Sequence, residues 1–234
     1  LEKKGGEIGA IILEPLVLGS GGMFFYPPYV IDELYKLSKE YGVIFALDEV
    51  MTGFGRTGTM FAFNQTNIIP DVICLSKGLT GGSIPLAATV CTKEIYNAFL
   101  SDDKAKMFFH SSSYTANPIA CAAACANLEI WQNNDILKDI KRINDFYQTQ
   151  IERFKNLGCK NVRTLGDIFA YEVNHTGNDY VSNIGVKLYE YFRKNGVLLR
   201  PLGNTVYVMP PYCISNESLE KVFNIMETGI KEAL

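Results

Sequence analysis

Two short apolar runs each end on a charged residue, and no other pattern constrains this chain as tightly. Val43-Ile44-Phe45-Ala46-Leu47 is closed by Asp48, and Val72-Ile73-Cys74-Leu75-Ser76 is closed by Lys77. Each run is short, apolar and bounded by turn residues, so each reads as a buried strand of a parallel sheet. Ligands of open α/β sheets bind beyond the carboxyl ends of the strands, and both strands deliver a charge to that edge. A carboxylate and an amine there suit pyridoxal phosphate: the lysine forms a Schiff base, and the aspartate pairs with the protonated pyridine nitrogen. Taken singly, each residue has a plainer reading. A strand-end aspartate forms a turn or caps a helix, and a lysine after a strand is solvated. Together, inside two glycine-rich stretches, the two are far more specific.

A competing motif overlaps the first stretch. Gly53-Phe54-Gly55-Arg56-Thr57-Gly58 matches the G-x-G-x-x-G dinucleotide fingerprint. That reading needs a helix opening in the last glycines and an acid ending the next strand. Thr59 to Gln65 is short and has no long amphipathic period, and Asp71 begins the next strand instead of ending it. A dinucleotide-dependent oxidoreductase is therefore the weaker reading.

The order of elements gives the fold class. Residues 8 to 14 read as a strand, Gly19 to Gly22 as a loop, and Tyr29 to Tyr41 as a helix with Val30, Leu34, Leu37 and Tyr41 on one face and Gly42 as its stop. Strands follow at 43–48, 72–76 and near 87–91. Strand, helix, strand in this order predicts an α/β fold with a doubly wound, mostly parallel sheet. Pro118 opens an alanine-rich helix to Trp131. Gln132 to Asp135 marks the domain boundary, dividing the chain into 1–132 and a smaller α+β domain at 133–234. In the smaller domain Ile136, Ile140, Ile143, Tyr147 and Phe154 line one helix. Strands are expected at 162–165, 169–173, 197–200 and 206–209, and Leu219, Val222, Phe223, Met226 and Ile230 line a closing helix.

Composition excludes several function classes. Net charge is −3 with no basic block, which argues against nucleic acid and anionic membrane. No apolar run reaches membrane-spanning length and the chain does not open on a signal-peptide pattern, so a cytoplasmic protein is expected. The six cysteines lack framework spacing, and reduced thiols are the expectation. Cys121 and Cys125 face one way on a helix, which suits small-residue packing. With only His110 and His175 elsewhere, no metal site is expected.

LDEVMTGFGRTG (47–58), PDVICLSKGLTGG (70–82) and HSSSYTANPIACAAA (110–124) resemble the signature of class-III, fold-type-I, pyridoxal-phosphate-dependent aminotransferases. RPLGNTVYVMPPY (200–212) is similar to the biotin-biosynthetic branch of that family. The resemblance runs through nearly the whole chain. It implies part of the large doubly wound sheet domain plus the small C-terminal domain. It also implies a homodimer with shared active sites and a small-molecule amino donor and oxo acceptor, here S-adenosylmethionine and 8-amino-7-oxononanoate. Family members are longer, and this chain is expected to carry their second half, without the phosphate-gripping loop and the aromatic residue that stacks on the cofactor.

Residue by residue, the resemblance assigns Lys77 as the catalytic, cofactor-linked lysine and Asp48 as the partner of the pyridine nitrogen. Val50 lies two residues beyond Asp48 on the same side of an extended chain; the family packs an apolar residue there on the ring, and an ordinary core valine is the equal alternative. Met51 stands where ornithine- and aminobutyrate-type members have glutamine, which counts against those substrates. Ser112 and Ser113 match the pair that reaches the phosphate of the neighbouring subunit's cofactor. Ser111 stands where the family has a glycine near the substrate. Arg200 matches the arginine that holds the substrate carboxylate, and Tyr207 a substrate-site tyrosine. Arg56 either reaches the site or makes a structural ion pair. His110 reads as structural. Three alternatives stay open: another class-III aminotransferase or aminomutase, a non-catalytic folded fragment, and the oxidoreductase above.

Overall fold

Asp48 ends a strand and Lys77 follows one because the apolar runs before them pair in register. The computed structural model describes residues 1–110, 112–174 and 183–233. Its strands are β1 (Ala10–Leu13), β2 (Val17–Leu18), β3 (Phe24–Phe25), β4 (Ile44–Asp48), β5 (Val72–Leu75), β6 (Ala88–Cys91), β7 (Lys160–Leu165), β8 (Ile168–Glu172) and β9 (Thr205–Val208). Its helices are α1 (Tyr29–Glu40), α2 (Lys93–Ala98), α3 (Pro118–Asn133), α4 (Ile136–Asn156), α5 (Asn183–Lys194) and α6 (Asn216–Ala233). They form two units. The first comprises Leu1–Leu16, Tyr26–Phe54 and Phe61–Asp135; the second comprises Val17–Phe25, Gly55–Met60 and Ile136–Leu234. The two early segments in the second unit are announced by no shift in composition.

In the first unit the sheet order is β1-β4-β5-β6. β1, β4 and β5 are parallel, whereas β6 runs antiparallel to β5. The link from β5 to β6 holds only a four-residue 3-10 turn, Lys77–Thr80. It has no helix with which to make the crossover that a parallel neighbour needs. One sheet face packs on α1, where the Tyr35 and Phe45 rings meet edge to face at 5.6 Å. The burial of α1 corrects the sequence expectation. Its fully buried residues are Ile31 and Ser38, while Leu37 is 41% exposed. Ser38 can be buried because its hydroxyl donates to the Tyr35 carbonyl at 2.7 Å, so no polar group is left unpaired. α3 starts where its chemistry dictates. The Asn117 side chain accepts from the amides of Ile119 (3.0 Å) and Ala120 (3.3 Å), with proline at the first helical position.

The second unit holds a three-stranded antiparallel sheet, β7-β8-β9, the antiparallel pair β2-β3, and the helices α4, α5 and α6. Its core is aromatic. Phe169 and Phe223 meet at 5.0 Å, Phe154 and Phe169 at 5.3 Å, and all three are fully buried. α4 buries Ile140, Ile143, Tyr147 and Phe154, and α6 buries Leu219, Phe223, Met226 and Ile230. Two departures from the sequence reading stand out. Residues 197–200 form no strand. Val197 enters the core and Leu199 packs against it, while Leu198 is 79% exposed, so the apolar alternation reflects alternate burial in a segment that joins no sheet among the described residues. α5 was not anticipated, although Ile184, Leu188 and Phe192 recur every four residues and are all buried.

Candidate active site

Asp48 is the last residue of β4 and stands opposite Cys74 of β5 in the parallel register. Its Oδ1 accepts the Val50 amide at 3.0 Å, which folds the chain back at the strand end. No hydrogen bond to Oδ2 occurs among the described residues. Val50 is half-buried. Burial and then the charge of Asp48 push the Cys74 thiol upward, so Cys74 stays protonated beside it.

Glu49 anchors the turn that follows, and the sequence reading did not find it. It is fully buried. Its carboxylate accepts the Thr52 hydroxyl at 2.5 Å and the Phe63 amide at 3.0 Å, while its carbonyl accepts the Gly53 amide at 2.9 Å. Burial pushes its carboxyl upward, opposed by these donors and the Ala62 amide. The Ala62 and Phe63 amides that donate to this carboxylate belong to a 3-10 turn, Ala62–Gln65. No α-helix opens at Gly58, as a dinucleotide fingerprint would require; the next element is that 3-10 turn.

Lys77 lies two residues beyond β5 and opens the 3-10 turn. It is exposed, and its amine has no hydrogen-bond or ion-pair partner among the described residues. Asp48 and Lys77 thus stand at the carboxyl ends of neighbouring parallel strands within one unit. The same unit carries Ser112 and Ser113, both exposed. His110 Nδ1 lies 3.3 Å from the Thr115 hydroxyl. Ser111 and His175 lie outside the described residues.

The remaining candidates belong to the second unit. Arg200 is exposed and unpaired among the described residues. Tyr207 is half-buried on β9, opposite Ala170. Arg56 is engaged within its own unit. Its Nη1 donates to the Asp167 carboxylate and, at 3.0 Å, to the Pro210 carbonyl, and its guanidinium stacks over the Tyr212 ring at 4.8 Å. Asp167 is fully buried. Burial pushes its carboxyl up to about 7 against the opposing pull of Arg56. Asp167 is a second residue that sequence reasoning missed, because its partner is 111 positions away.

The class-III aminotransferase family matches residues 1–230. An adenosylmethionine-8-amino-7-oxononanoate aminotransferase from Buchnera aphidicola is 40% identical over 98% of this chain and 52% of its own length. The enzyme of that name from Helicobacter pylori is 40% identical over 94% of this chain and 51% of its own. The crystal structure of the Methanocaldococcus jannaschii protein of the same name superposes with a TM-score of 0.91 at 35% identity, covering 99% of this chain and 55% of that one. A thermostable (S)-enantioselective omega-transaminase from Thermomicrobium roseum gives the same TM-score at 27% identity. The chain spans about half the length of the curated relatives it matches. With matching residues from end to end and the strand-end carboxylate and amine in place, this chain belongs to the class-III aminotransferase family.

Proposed function

We propose that the protein carrying this chain is a pyridoxal-phosphate-dependent aminotransferase of biotin biosynthesis. It would move an amino group from S-adenosylmethionine to 8-amino-7-oxononanoate, giving 7,8-diaminononanoate. The observation that supports the reading is that Asp48 and Lys77 stand at the carboxyl ends of the neighbouring parallel strands β4 and β5. The names of relatives 40% identical across nearly the whole chain support the substrates.

The residues fit the cofactor by their chemistry. Asp48 keeps an oxygen available for a cationic ring nitrogen, and Lys77 keeps its amine available. Bound pyridoxal phosphate supplies an electron sink for the carbon that loses its proton. Lys77 would hold the cofactor through its Nζ, and that amine is the group that would carry the proton at the substrate carbon. Asp48 keeps the proton on the ring nitrogen; an asparagine would hydrogen-bond there without holding the charge. Val50 packs against the ring. Ser112 and Ser113 donate hydroxyls to the phosphate of a partner subunit's cofactor in a cytoplasmic homodimer. Arg200 holds the acceptor carboxylate with two parallel hydrogen bonds, and Tyr207 borders the same substrate. Arg56 is committed to Asp167 within its own unit.

Aminotransferase assays on the full-length protein test this reading. S-adenosylmethionine with 8-amino-7-oxononanoate should turn over, and Arg200→Ala should raise the acceptor KM far more than it changes stability. Turnover confined to ornithine or simple ω-amines would move the protein to another branch of the family.

A further inference from the structure

Lys77 holds a backbone conformation that a lysine rarely adopts unaided. Its φ is +40°, in the left-handed region where a side chain crowds the following carbonyl oxygen. Such a residue persists only where its surroundings leave it no alternative. The turn's own bonds supply part of that constraint: the Leu79 amide donates to the Ser76 carbonyl at 2.9 Å, and the Gly82 amide to the Lys77 carbonyl at 3.0 Å. Phe54 supplies a second part from below. A Cβ placed on Gly78 would lie 2.8 Å from Phe54 Cβ and 2.9 Å from its ring, so the backbone just after Lys77 rests directly on Phe54.

The third constraint comes from α3. Asn127 Nδ2 donates to the Gly78 carbonyl at 2.8 Å and to the Leu79 carbonyl at 3.2 Å. Both acceptors are carbonyl oxygens, so chemistry requires the amino end of the carboxamide to face them. Its Oδ1 lies 3.1 Å from where a Cβ on Gly81 would sit, and Gly81 is itself left-handed at φ +61°. One polar side chain on an alanine-rich helix thus grips both carbonyls that follow Lys77. Asn127 is half-buried, and its side chain makes no other hydrogen bond among the described residues.

We propose that Asn127 is a positioning residue for Lys77: its carboxamide fixes the Gly78–Leu79 backbone and so holds the lysine in its left-handed turn at the end of β5. The inference rests on the reading of Lys77 as the cofactor lysine. Asn127→Ala improves helix propensity, so α3 should remain intact. Asn127→Asp is isosteric but turns an acceptor toward two acceptors.

The experiment measures reductive labelling of the full-length protein, without added substrate. Pyridoxal phosphate condenses with the amine, water leaves, hydride from borohydride reduces the new C=N bond, and peptide mass mapping follows the label with time. The rate at Lys77 should fall about tenfold in Asn127→Ala, the equivalent of about 1.4 kcal/mol, and further in Asn127→Asp. Hydrogen exchange of the Leu79 and Gly82 amides should speed up in both variants while the thermal midpoint of Asn127→Ala stays near the parent's. Equal labelling rates in all three proteins would overturn the role of Asn127. So would Asp matching Asn, which is the pattern of simple packing. Label on a different lysine in the parent protein would instead overturn the Lys77 assignment beneath it.

Discussion

The turn joining β7 to β8 is where a single added methyl should do the most harm. Gly166 sits at φ +59° between Leu165 and the buried Asp167. A Cβ there would lie 2.3 Å from the Arg56 carbonyl oxygen and 2.5 Å from both the Gly58 nitrogen and the Thr57 carbonyl carbon. All three are backbone atoms, so no rotamer change relieves the contact. The neighbouring Asp167 amide donates to that same Arg56 carbonyl at 3.1 Å, so moving residues 56–58 also strains the ion pair. A left-handed alanine costs about 1–2 kcal/mol, and overpacking a closed site adds about 1–3 kcal/mol. Gly166→Ala should therefore lose about 2–5 kcal/mol in all. Urea denaturation of the full-length protein, followed by circular dichroism, measures it. Gly6→Ala is the control: nothing lies within 4 Å of its added Cβ, and it should stay within about 0.5 kcal/mol of the parent. If Gly166→Ala shifts the transition no further than Gly6→Ala, the docking of residues 55–60 on this turn is wrong.

Two further predictions concern chemistry. Asp48→Asn should leave the denaturation midpoint nearly unchanged while removing most of the transamination rate, because a neutral ring is a poor electron sink; activity within a few-fold of the parent would refute the role. Cys159 is buried and its thiol is pushed up to about 12. Because the thiolate is the nucleophile, Cys159 should resist iodoacetamide at pH 8 while exposed Cys91, Cys125 and Cys213 react; mass spectrometry showing equal labelling would contradict this.

What the sequence makes legible is local. β4 and β5 can be read because a strand of a parallel sheet is a bare apolar run, although β5 is only half-buried and Ile44 of β4 is exposed, and Asp48 and Lys77 because they break those runs at the edge where ligands bind. The amphipathic faces of α4 and α6 are equally plain. The apolar stripe chosen for α1 misleads because a serine that bonds its own helix backbone can be buried as fully as an isoleucine. The 197–200 stretch has strand-like composition but pairs with no strand among the described residues, and pairing is not a local property. Glu49, Asp167 and Asn127 are hidden for one shared reason: each acts through a partner distant in sequence or through backbone groups that carry no residue-type signal.

Peptide mapping after borohydride treatment tests the central claim most directly. The full-length protein, incubated with pyridoxal phosphate and reduced, should carry one pyridoxyl group, on the peptide containing Lys77. Asp48→Asn should still be labelled at that position, since the aspartate acts on the ring nitrogen and not on the amine. A pyridoxyl group on any other lysine, or transamination by a protein in which Lys77 is replaced by alanine, would contradict the assignment of this strand end as the catalytic centre.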